Sequence, residues 1–227
     1  MDVDSAAKLI EATAKLVGVA IWPAAIGYIL VRFGSNIGDF ISNLGEMTLK
    51  GGGFEASVKR RQNEAGAALK AAISRPKEGS TPVNPASAAK EAVQAVEGVN
   101  ARILRRIDGS QVLWVDDRPD NNNYERQALE ALGVKFVVST STDDALGRLR
   151  TQTFDAVISD MGRPPDAQAG YTLLDKMRSS GNQTPFVIYA GSRSPEHQAE
   201  ARRRGAVGCT NNPTELFEMV LSALRRG

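Results

Sequence analysis

A chain of 227 residues allows one or two domains, and a charged fraction of 24% beside 42% hydrophobic residues is that of an ordinary globular protein, which excludes wholesale disorder. The net charge of +2 and the scatter of basic residues argue against a nucleic-acid partner, since Arg202, Arg203 and Arg204, with Arg225 and Arg226, read as solvated helix faces. Cys209 is the only cysteine and His197 the only histidine, so an internal disulfide is excluded and a Cys/His metal cluster or a Ser–His–Asp triad lacks parts. Cys209 is expected to act as a small hydrophobe in a strand, and His197 to sit on a polar helix.

After a polar, near-neutral start, no charge occurs from Leu16 to Val31. Sixteen residues at about 1.5 Å each give about 24 Å of helix, and starting at Thr13 with Lys15 snorkelling brings this to about 28 Å, just enough to cross a bilayer. Pro23 would break a soluble helix but is tolerated in a membrane helix. Residues 1–34 are therefore read as a tail and a single transmembrane helix. Lys59, Arg60 and Arg61 tip the charge balance toward a cytoplasmic C-terminal side, which places the protein in the inner membrane as a single-pass chain. Residues 35–74 read as a helical juxtamembrane region. In it Ile37, Phe40, Ile41 and Leu44 recur at helical spacing, and an Ala-rich, basic helix follows from Phe54 to Ile73. Residues 75–87, with three prolines and a glycine, read as a linker. A connector helix is expected over 88–108, its stripe of Val93, Val96, Ile103 and Ile107 packed on its own domain or on a second copy of the chain.

From Gln111 onward strand and helix alternate. The expected strands are Val112–Val115, Lys135–Val138, Ala156–Ser159, Phe186–Ala190 and Ala206–Thr210. The expected helices are Asn122–Leu132, Thr142–Arg150, Tyr171–Ser179, Glu196–Arg204 and Thr214–Arg225, with Ser141 and Asp144 spaced as a capping box. Five of each in residues 109–227 is an α/β fold, a doubly wound five-stranded parallel sheet.

Two of those strands end on carboxylates. QVLWV runs into Asp116 and Asp117, and DAVIS runs into Asp160. Groups just past the carboxyl ends of neighbouring parallel strands converge on one crevice. Three carboxylates meeting there would repel one another, and a hard cation with oxygen ligands, Mg²⁺, is the natural neutraliser. The competing reading makes these aspartates helix caps or turn residues.

Four patterns together resemble the receiver domain of bacterial two-component response regulators over Val112–Leu224: VLWVDD, DAVISDM, the glycine-led GYTLLDKMR, and GAVGCTNNP. The fold this resemblance implies is flavodoxin-like. It implies that Asp160 is the phosphoacceptor, fed by a histidine kinase or another signalling protein in a phosphorelay. It also implies that Asp117, Asp160 and the Gly162 carbonyl hold Mg²⁺, with Asp116 acting through water. The implied role is that of a switch rather than an enzyme.

The sequence departs from the family at three switch positions. Ala190 stands where the family has a Thr or Ser, Cys209 where it has an aromatic residue, and Asn212 where it has a Lys. RPPDAQA, between Asp160 and Gly170, is also about two residues longer than usual. Losing a charge-assisted contact removes about 1.5–3 kcal/mol, or one to two orders of magnitude in acyl-phosphate formation. Ser192, Arg193, Arg163 and Arg118 are within sequence reach to substitute. Two readings follow: a membrane-anchored, phosphorylated response-regulator-like protein, or a pseudo-receiver that serves as an interaction or assembly module without phosphoryl chemistry.

Overall fold

The computed structural model describes residues 55–75, 83–191 and 194–225. The expected transmembrane segment and the first part of the juxtamembrane region, residues 1–54, lie outside the described residues, as does most of the linker. Among the described residues no helix is long and apolar enough to cross a membrane.

Three helices come first: α1 over residues 55–74, α2 Pro85–Glu97 and α3 Ala101–Ile107. The single connector helix expected over 88–108 is thus two helices, and α2 begins inside the expected linker. The physical reason is capping. Asn84 accepts from the Ala86 N–H with Pro85 at the first helical position, so the helix starts there; Gly98 closes it, and Asn100 accepts from the Arg102 and Ile103 N–H groups to start the next.

The alternating part follows as β1 Gln111–Val115, a 3₁₀ turn Pro119–Asn122, α4 Asn123–Glu130, β2 Lys135–Ser139, α5 Thr142–Thr151, β3 Ala156–Ser159 and α6 Ala169–Ser179. It is completed by β4 Phe186–Tyr189, α7 Pro195–Arg203, β5 Gly208–Thr210 and α8 Pro213–Leu224. The Ser141 hydroxyl caps α5 at the Asp144 N–H, 3.1 Å away, as its spacing suggests. All neighbouring strands are parallel, in the order β2-β1-β3-β4-β5, with Val112 opposite both Phe136 and Ala156. This is the expected doubly wound sheet.

Strand alternation divides the core. Leu113, Val115, Val157, Phe186, Ile188 and Cys209 face α5, α6 and α7, where Leu173, Leu174 and Met177 are buried. Val112, Trp114, Ile158 and Val187 face the opposite way, toward α4 and α8. Helices α1 to α3 join that second cluster through Ala65, Leu69, Ile73, Ala92, Val96 and Ile107, and α2 and α3 pack against α8. Of the expected stripe, Val96 and Ile107 are buried on the chain's own domain and Ile103 packs partly against it, whereas Val93 is 50% exposed.

Polar contacts fasten the same helices. Arg61 donates to Asp108 at 2.8 Å, and the Gln62 amide to the Val99 carbonyl at 2.9 Å. At the end of α1, Arg75 reaches the buried Glu125 of α4 at 2.6 Å, and the Tyr189 hydroxyl of β4 donates to the same carboxylate oxygen at 2.8 Å. Burial, then the Glu125 charge, push the Tyr189 phenol above its ordinary range.

Candidate functional site

The acidic site is made by the carboxyl ends of the two central strands. Four buried residues of β1 end at Val115, so Asp116 and Asp117 emerge at the sheet edge, and β3 delivers Asp160 beside them; the Asp160 N–H donates to the Val115 carbonyl at 3.0 Å. One ligand oxygen from each of Asp116, Asp117 and Asp160 lies within 4.8 Å of the others. Together with Gly162, Arg163 and Pro164 they line a cleft of about 510 Å³.

Each carboxylate has its own surroundings. Asp116 is buried and accepts from the Arg118 N–H at 2.7 Å and from the Asn122 amide at 2.5 Å, which fixes its orientation. Asp117 is 30% exposed and faces the Arg118 guanidinium at 3.7 Å. Asp160 is 18% exposed, and burial pushes its carboxyl up to about 6 against the pull of Arg163, with Asp116 and Asp117 adding to the rise. Three carboxylates at this spacing, all oxygen donors, fit a hard divalent cation.

Arg163 is the partner whose weight the sequence did not show. It is 4% exposed, and its Nη1 donates to the Asp160 carboxylate and to the Ser159 hydroxyl at 2.7 Å. Its Nη2 donates to the Thr142 hydroxyl and the Ala169 carbonyl, each at 3.0 Å. The longer loop explains the aim. Arg163 and Asp166 exchange both backbone hydrogen bonds, at 2.9 and 2.8 Å, around a cis Pro164–Pro165 peptide, and Asp166 is held in turn by the Thr172 hydroxyl at 2.6 Å. The extra residues form a closed turn that directs a guanidinium inward. Gly170 is required beside it, because a Cβ there would come within 2.5 Å of the Asp160 carbonyl oxygen.

The other residues singled out in the sequence do not join the carboxylates. Asn212 caps α8, accepting from the Thr214 N–H at 2.7 Å and the Glu215 N–H at 3.1 Å. Ala190 and Cys209 line a neighbouring hollow of about 440 Å³ with Met161, Tyr171 and His197. The Cys209 thiol is buried and raised by that burial, in keeping with a structural role. The Arg118 guanidinium faces Asp117 and its backbone N–H serves Asp116, while Ser192 and Arg193 lie outside the described residues.

A parallel five-stranded sheet that converges three aspartates on the ends of β1 and β3 defines an α/β domain with an acidic site at one sheet edge. Residues 112–222 match the response regulator receiver domain. The chain is 28% identical over 109 residues to the sensor histidine kinase RcsC of Salmonella typhimurium, a match covering 48% of this chain and 11% of that protein. It is 29% identical over 120 residues to the Regulator of RpoS of Escherichia coli, covering 51% of this chain and 35% of that protein. The chain thus spans a minor part of the curated relatives it matches. Among solved structures, the receiver domain of the Francisella response regulator 1452 is 24% identical with a TM-score of 0.48, covering 52% of this chain and 98% of that one. The chemotaxis response regulator CheY4 of Vibrio cholerae is 26% identical with a TM-score of 0.43, at the same coverage.

Proposed function

We propose that this chain is a membrane-anchored, response-regulator-like signalling protein in which Asp160 accepts a phosphoryl group with the help of Mg²⁺. The observation that carries the reading is the convergence of Asp116, Asp117 and Asp160 within 4.8 Å at the head of the sheet. The donor is the phosphohistidine of a histidine kinase or of another phosphorelay protein. One Asp160 oxygen attacks phosphorus, the phosphorus–nitrogen bond breaks, and its electron pair stays on the imidazole. Asp116, Asp117, Asp160 and the Gly162 carbonyl would hold Mg²⁺, which when bound neutralises charge on the transferring oxygens. Asp116, fixed by Asn122 and the Arg118 N–H, keeps its acceptor oxygens turned to the cleft. The protein acts as a phosphorylated switch, not as an enzyme. The uncharged run Leu16–Val31 supports a single inner-membrane span, with the receiver domain in the cytoplasm.

The test uses the full chain and an Asp160→Asn control. Mg²⁺ binding is measured by calorimetry, and phosphorylation by intact mass after incubation with a small acyl phosphate. Metal binding followed by the gain of one phosphoryl group, absent from the control, is the expected result. A chain that never gains the group would instead be a pseudo-receiver, acting through its surface alone.

A further inference from the structure

We infer that Arg163 is the built-in cation of the acidic site: its guanidinium orients Asp160 and supplies the fixed positive charge that meets the phosphoryl oxygens, a task Asn212 does not perform. The inference rests on the reading of Asp160 as phosphoacceptor and assigns that site a further residue.

The geometry argues for it in three ways. First, a guanidinium 4% exposed is held between β1, β3, α5 and α6 by donors to the Ser159 and Thr142 hydroxyls and the Ala169 carbonyl, so it occupies one position without rearrangement. Second, its Nη1 takes Oδ1 of Asp160, which leaves Oδ2 for an incoming group. Third, the residue at the head of α8 is committed elsewhere, because the Asn212 side-chain amide oxygen accepts two backbone N–H groups of its own helix and that side chain carries no charge. A buried arginine whose carboxylate partner among the described residues is Asp160 alone is a costly device for packing alone. Beside three carboxylates it lowers the net negative charge of the cleft by one.

That charge works in two directions, and the contrast separates it from a merely structural role. Arg163 repels a divalent cation held by the same carboxylates, yet attracts the oxygens of a transferring phosphoryl group. With a small acyl phosphate donor, the Asp160–phosphorus bond forms as the donor's phosphorus–oxygen bond breaks, and the electron pair leaves on the donor's carboxylate. Arg163 gains and loses no proton in that step.

The experiment compares full-length wild type, Arg163→Gln and Arg163→Lys by Mg²⁺ calorimetry and by the rate of phosphorylation from a small acyl phosphate, with circular dichroism reporting folding. Arg163→Gln is expected to bind Mg²⁺ about tenfold more tightly, because a positive neighbour is gone. It is expected to be phosphorylated about ten- to a hundredfold more slowly. A gain in metal affinity cannot come from unfolding. A folded Arg163→Gln whose Mg²⁺ affinity is unchanged or weaker overturns the inference, and so does unchanged transfer. Arg163→Lys keeps the charge but loses the fork, so its Mg²⁺ affinity should stay within about threefold of wild type while transfer slows. If the Gln variant does not fold, the Lys variant decides, and transfer at the wild-type rate rejects the inference. If wild type itself takes no phosphoryl group, the proposed function falls, and the Mg²⁺ comparison still decides whether Arg163 is the counter-charge.

Discussion

At Asp160 two pulls oppose each other. Burial favours the neutral acid, while the Arg163 guanidinium favours the carboxylate, and burial prevails, leaving the group near 6 rather than at its ordinary 3.8. Since the folded-state value lies above the ordinary one, Asp160 contributes stability that is fully present below about 4 and is lost as the pH rises through 6. Urea unfolding of wild type and Asp160→Asn across that range should show this. The difference in unfolding free energy, wild type minus variant, is expected to fall by roughly 1–3 kcal/mol as the pH rises, whatever constant offset the lost Arg163 contact adds. A flat or rising difference would reject the assignment. Sequence alone foretold the crowding of carboxylates but not the balance, because burial depth and the aim of Arg163 are set by the turn at Pro164–Pro165 and by contacts from α5 and α6.

The helices before the receiver domain proper are part of its core. In α1, Leu69 and Ala65 are fully buried, and the helix is followed by an ion pair from Arg75 to Glu125 of α4. Glu125 has a side chain only 1% exposed, and its carboxylate is served by Arg75 of α1 and Tyr189 of β4. Arg75→Ala removes the only cation that pairs with that buried charge among the described residues. It is expected to cost about 3 kcal/mol, the low end for breaking a buried pair because Arg75 keeps some contact with solvent. Chemical denaturation measures it, and a loss below about 1 kcal/mol would mean that α1 is not held through Glu125. The Ala-rich pattern of residues 54–73 disclosed a helix, and Val96 and Ile107 disclosed a buried stripe. Neither disclosed the partner, because an apolar stripe fits any apolar surface of matching shape. The break at Gly98–Asn100 was legible in hindsight, since Asn with a following helical run is a start signal that the valine periodicity overrode.

At the scale of the whole molecule, the acidic site lies at one end of the sheet. Among the described residues, a line of contacts joins the strand that carries that site to the end of α1. Trp114, two residues before Asp116, contacts Tyr189 edge-on at 6.1 Å, and Tyr189 meets Glu125 and so Arg75. The tether is tested by alkaline washing of membranes carrying the full chain beside a chain begun at Glu55. The full chain is expected to remain in the pellet and the shorter one to be released. Release of both would remove the spanning segment from the proposal.

The sequence by itself determined the sheet, since runs such as Val112–Val115 and Ala156–Ser159 are apolar on both faces and only a covered parallel sheet buries both. It also determined that Asp116, Asp117 and Asp160 meet, because parallel strands bring their carboxyl ends to one edge. Tertiary structure decided what those carboxylates face. Asn212 is spent on a helix cap, Arg163 is folded back to Asp160 by its own loop, and α1 to α3 are laid on the domain rather than left free. Each of these depends on where a side chain ends after the chain has turned, and a strand or helix period records only which face a residue occupies.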